Sequence, residues 1–70
     1  MKEIKANRAG LIVDFLVVPG ETVAFNQDVV MLESMKMYIS VQTPVSGVVK
    51  AVKVKEGDWV KDGDVLLELE

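Results

Sequence analysis

The chain has no cysteine and no histidine in its 70 residues. Without cysteine there can be no disulfide and no thiolate metal site, and the composition is compatible with a reducing cytosol. Without histidine, the commonest general base and metal ligand is missing. No nucleophile–base pair can be assembled from Cys or His, and no carboxylate pair stands out by spacing, so the chain reads as non-catalytic. Aromatics are scarce: one Trp, one Tyr and two Phe. A barrel that threads single-stranded nucleic acid needs stacking aromatics along a basic groove. The net charge of −3 also disfavours binding to phosphates, which Lys and Arg must neutralise. No nucleic-acid partner is therefore expected. Membrane insertion is not expected either: the longest apolar run, Leu11 to Val18, carries Asp14 and stops at Pro19. The opening Met1-Lys2-Glu3-Ile4-Lys5 has no apolar signal-peptide core. The expected location is cytoplasmic.

What remains is aliphatic. Half the residues are hydrophobic, mostly Val, Leu and Ile, which suits one compact β core. A chain of this size buries only about 60% of its unfolded surface, so residues 1–70 form a single small domain with a slim margin of stability. Residues 2–6 alternate weakly and predict a short first strand; Leu11 to Val18 predicts a second. Pro19-Gly20 is a turn signal, because Pro presets φ at one position and Gly accepts positive φ at the next. A short Thr22-Val23 segment and an Asn26-Gln27-Asp28 loop follow. Val29 to Glu33 and Tyr38 to Gln42 then predict two strands, the second ended by Thr43-Pro44. Asp62-Gly63 marks a tight turn, and Val65, Leu67 and Leu69 read as a last inward row opposite Glu68 and Glu70.

The second half repeats the first. A shift of 37 residues superposes Gly10 on Gly47, Val17 on Val54, Gly20 on Gly57, Val23 on Val60, Leu32 on Leu69 and Glu33 on Glu70. In both copies a step of three, Ile12 to Phe15 and Val49 to Val52, precedes a step of two. The step of three changes parity, so each strand should bulge shortly after its glycine. Each half is a small sheet with one wet face and cannot stand alone. Packed face to face, the halves predict an all-β flattened barrel: a barrel-sandwich hybrid of two four-stranded antiparallel sheets with pseudo-two-fold symmetry. The joint between the copies, residues 34–38, falls at a hairpin tip, and the repeat supplies no counterpart to it before Glu70.

That tip reads Glu33-Ser34-Met35-Lys36-Met37. A lysine on a turn is usually no more than a solvated residue, and paired methionines are usually core filler. Here they flank a cation at the one unrepeated point of a repeated barrel. The run resembles the attachment sequence of the biotinyl/lipoyl domain family, of the biotin carboxyl carrier protein type, whose usual form is Ala/Val-Met-Lys-Met. The resemblance covers essentially the whole chain, including Gly47, Gly57-Asp58, Val60 and Gly63-Asp64. It implies that Lys36 carries covalent biotin, attached by a biotin protein ligase. It implies as further partners a biotin carboxylase and a carboxyltransferase or decarboxylase subunit, between which the swinging arm carries a carboxyl group. By the same resemblance Met35 and Met37 are read by partner enzymes, Glu33 matches the acid that commonly precedes the motif, and Ser34 replaces the usual alanine. Lipoate is the less favoured cofactor, since lipoyl acceptors usually show Asp-Lys-Ala here. An unmodified barrel used purely for assembly would have no reason to keep Met-Lys-Met. The Gly-Asp pairs at 57–58 and 63–64 read as turn chemistry rather than Ca²⁺ sites, and Trp59 as a partly buried strand residue.

Overall fold

β-Branched and leucine-rich segments broken by turn residues give eight short strands in a computed structural model, which describes residues 2–70. They are β1 (Lys2–Lys5), β2 (Gly10–Phe15), β3 (Thr22–Val23), β4 (Asp28–Ser34), β5 (Met37–Gln42), β6 (Gly47–Val52), β7 (Trp59–Val60) and β8 (Val65–Leu69). They form two four-stranded sheets with antiparallel pairing, ordered β1-β8-β6-β3 and β5-β4-β2-β7. The expected all-β barrel-sandwich is the observed fold.

Its wiring differs from half packed on half. Each sheet takes two strands from each copy of the repeat, so the pseudo-two-fold that exchanges the copies also exchanges the sheets. The edge strands make the crossing, whatever their length: β1 pairs on β8, β3 on β6, β5 on β4 and β7 on β2. β2 stops at Phe15 rather than Val18, because the chain there departs for the Pro19-Gly20 turn; Leu16 N still donates to Val29 O at 2.9 Å.

The symmetry extends to single hydrogen bonds. Lys53 N donates to Leu66 O at the same 2.9 Å as the Leu16–Val29 bond, and Gly20 N→Val49 O is matched by Gly57 N→Ile12 O, both 2.8 Å. Gly20 and Gly57 take φ of 93° and 90° in turns closed by Glu21 N→Val18 O and Asp58 N→Lys55 O. With Pro19 before it, Gly20 occupies the position of a type II turn that needs positive φ. The Asp58 and Asp64 carboxylates each accept a backbone N–H of their own turn, from Lys55 and Lys61, at 2.9 Å. That accounts for the Gly-Asp pairs, and among the described residues no group of three or more acidic side chains could hold a metal ion.

Both expected bulges are present: the register shifts between Ile12 and Asp14, and again between Val49 and Ala51. A second symmetric pair sits at Val29 and Leu66, where one extra residue enters β4 and β8. Both side chains are fully buried. The inward row of the last strand is therefore not Val65, Leu67 and Leu69 alone. The bulge turns Leu66 into the core beside Leu67 and leaves Val65 half-buried. Ile4, Ile12, Leu32 and Leu69 complete the large core side chains. The buried Thr43 hydroxyl is satisfied within its own bend, where it donates to Val45 O and accepts from Val45 N.

Gly10 is the tight point beneath the tip. A Cβ there would lie 2.9 Å from the backbone oxygen of Glu33, whereas at Gly47 the nearest atom is the Leu69 Cδ1 at 3.3 Å. A side chain can turn aside; a ladder carbonyl cannot. Gly10→Ala should therefore lose roughly 1–3 kcal/mol through overpacking, and Gly47→Ala clearly less. Urea denaturation of the two variants checks this, and equal losses would refute it.

Candidate functional site: the lysine tip

β4 and β5 are the only consecutive strands paired with each other among those described, and their last pair is Ser34 with Met37. This leaves a two-residue loop, Met35-Lys36, with φ of 52° and 64°. Two positive φ values in a two-residue hairpin define a type I′ turn, which follows strand twist and ordinarily takes Asn-Gly. Elsewhere in the described chain, positive φ falls on glycines and on Asn26, which tolerate it. At the tip it falls on side chains whose Cβ crowds the following carbonyl, at roughly 1–2 kcal/mol per residue. Backbone strain of this kind gathers at functional positions. Met35→Asn should relieve it and raise stability by up to about 1 kcal/mol; an unchanged or lower urea midpoint would contradict the strain assignment.

The structure brings the five predicted site residues together. Met35 is 89% exposed and Met37 57%, so these methionines are not core filler. Lys36 is exposed between them, and among the described residues no hydrogen bond or ion pair holds its ammonium. Ser34 and Glu33 are half-buried at the end of β4, where Glu33 lies opposite Leu11 on one side and Tyr38 on the other. The tip thus presents one exposed amine on a two-residue hairpin turn. A cleft of 430 Å³ lies elsewhere, between the Lys5–Asn7 segment, Gln42, Pro44 and the Asp62-Gly63 turn, and none of the five residues lines it.

Trp59 departs from expectation. In two-residue β7 the inward place belongs to Val60, and Trp59 is 65% exposed. Tyr38 is exposed as well. The repeat register carried a signal for Trp59, since its mate is Thr22, an outward residue of β3.

The family model for biotin-requiring enzymes, the biotin/lipoyl domain, matches residues 2–69. The chain belongs to the biotin/lipoyl attachment family. A biotin/lipoyl attachment protein of Bacillus subtilis is 56% identical over 50 residues, which cover 71% of this chain and 68% of that protein. Pyruvate carboxylase of Staphylococcus aureus is 42% identical over 67 residues, and the dihydrolipoyllysine-residue acetyltransferase component of the Pseudomonas aeruginosa pyruvate dehydrogenase complex is 44% identical over 64. These matches cover 96% and 91% of this chain, but only 6% and 12% of those much longer proteins. The solved Kluyveromyces lactis urea carboxylase contains the same fold, with a TM-score of 0.91 at 25% identity over 99% of this chain and 6% of that one. The family resemblance carried by Met35-Lys36-Met37 is thus upheld. As a biotin/lipoyl attachment domain, the chain is of the kind found within carboxylases, and its relatives include a lipoyl acetyltransferase as well.

Proposed function

We propose that this attachment domain is a biotin carrier, non-catalytic in itself, with Lys36 as the acceptor. The observation that carries the reading is the pair of exposed methionines flanking an unpaired lysine on a strained, outward two-residue turn. The residues fit the group: Lys36 is exposed on the turn, and among the described residues no hydrogen bond or ion pair holds its amine. In the loading step Lys36 Nζ forms an amide with the biotin carboxyl that a biotin protein ligase has activated, giving up its proton and expelling the activating group. Biotin, when bound, supplies a ring that takes up and hands on a carboxyl group. The contribution of the barrel is positional. It fixes the root of the arm, so that the arm samples neighbouring active sites at effective concentrations up to roughly millimolar. A biotin carboxylase and a carboxyltransferase or decarboxylase subunit are the enzymes served in this reading, and a cytoplasmic location is part of it. Exposed Met35 and Met37 offer adaptable thioether contacts to each of these surfaces in turn.

One observation supports lipoate as a second reading: the 44% identity to a lipoyl acetyltransferase component. Intact mass and peptide mapping after coexpression with a biotin ligase separate the two. A single biotin on Lys36 is the expected result. An unmodified mass beside an active control, followed by loading with a lipoate ligase, would replace biotin with lipoate.

A further inference from the structure

The pseudo-two-fold makes each sheet a control for the other, and their outer faces are dressed differently. On the sheet that bears the tip, one cross-strand row reads Tyr38, Glu33, Leu11, Trp59, each opposite the next. Met31 stands opposite Asp14 in the neighbouring row. The 37-residue shift replaces Trp59 by Thr22 and Met31 by Glu68 on the other sheet. Leu16 and Val18, exposed just past β2, become Lys53 and Lys55. Charge divides the same way. The four tip-sheet strands hold Asp14, Asp28 and Glu33 and no Lys or Arg, while the other four mix Lys2, Lys5 and Lys50 with Glu3 and Glu68. A common framework does not require exposed Trp and Tyr beside a half-buried Met on one face only, and these are residue types enriched in protein interfaces.

Resting on the carrier reading, we propose that the outer face of the tip sheet, centred on Leu11 and Trp59 and flanked by Asp14 and Glu33, is the surface on which the ligase that acylates Lys36 docks, through an apolar patch rimmed by Arg or Lys. Charge complementarity selects this occupant. A second copy of the chain would bring carboxylates against carboxylates, and the outer face of a barrel sheet, away from the cleft, is a poor seat for a small molecule, which prefers concavity. Continuity with the tip points the same way, since Tyr38 follows Met37 directly on β5. Enzymes that handle a loaded arm can grip the arm; the enzyme that loads it has only protein surface to read, and a two-residue turn offers little. The domain measures 31 × 19 × 18 Å. The patch is a handful of side chains rather than the roughly 20–30 residues a side of a standard stable interface, which suits an encounter that must end after one acylation.

The test gives the tip sheet its sister's residues: Trp59→Thr with Met31→Glu, loaded by a purified bacterial biotin ligase. KM for the domain should rise about tenfold or more, as loss of an aromatic anchor does, with kcat nearly unchanged. The mirror variant, Thr22→Trp with Glu68→Met, should behave as wild type. Raising salt should raise the wild-type KM, and less so for Asp14→Asn. Should the double variant fail to fold, isotope-labelled Lys36→Arg domain titrated with the same ligase should show amide shifts at Leu11 and Trp59. An unchanged KM, shifts confined to residues 34–37, or a wild-type dimer in sedimentation that Trp59→Thr abolishes would each overturn the docking surface. If the wild-type domain takes no biotin at all, the carrier reading falls and the docking surface falls with it. If it is loaded but its face is indifferent, only the docking surface falls.

Discussion

Lys36→Arg should leave the domain folded and wholly unable to take up biotin. The substitution keeps a long cationic side chain on the same exposed turn, and the turn contributes nothing to the core formed by Ile4, Ile12, Leu32 and the leucines of β8. Stability should stay within about 0.5 kcal/mol of wild type, as for surface substitutions generally. The guanidinium stays protonated at any physiological pH and offers no free nitrogen to an activated carboxyl. Seven lysines occur in the chain, and Lys36 alone occupies the strained two-residue hairpin. The checks are intact mass after ligase treatment, retention on streptavidin, and a urea curve on the same sample. A Lys36→Arg protein still held by streptavidin would move the acceptor to another lysine and sink the assignment.

Leu66→Ala should destabilise the domain more than any substitution at the tip or on the outer sheet faces. Leu66 is the extra residue of the β8 bulge, its side chain fully buried against both sheets' core residues. Truncating a buried leucine removes about 2–5 kcal/mol, the spread reflecting how far the cavity can collapse. A single domain holds only ~0.05–0.15 kcal/mol per residue in all, so a chain this short has little to lose. Val65→Ala, one residue away but half-buried, is the control and should lose far less. Circular dichroism at 37 °C should show Leu66→Ala substantially unfolded and Val65→Ala native. Equal urea midpoints would mean that the bulge does not direct Leu66 inward.

The repeat was legible because identical glycines and core positions share one register. Gly20 and Gly57 recur with the same turn, and the Ile12-to-Phe15 step announced the bulge at Val13 and its mate at Lys50. Interleaving of the sheets was not legible, since resemblance between two copies does not say which copy's strands pair. The bulges at Val29 and Leu66 escaped because both lie in unbroken apolar runs, Val29-Val30 and Val65-Leu66-Leu67, where alternation leaves no mark. At the site, the position of Lys36 on an outward hairpin followed from the sequence. Its left-handed backbone did not, because Met and Lys are not the residues a type I′ turn normally selects. The exposed Trp59 was missed for a plainer reason: a strand of two residues has no periodicity to read.

The interleaved wiring also orders events during synthesis. Chains leave the ribosome N-terminal end first, and the β4–β5 hairpin, being local, can close within microseconds of emerging. β1 cannot pair until β8 has been made, because β8 sits between β1 and β6 in its sheet. A nascent chain that has exposed Lys36 therefore still lacks a closed barrel, and it lacks Trp59 until β7 follows. The strand that emerges last completes the fold around a tip that emerged long before it.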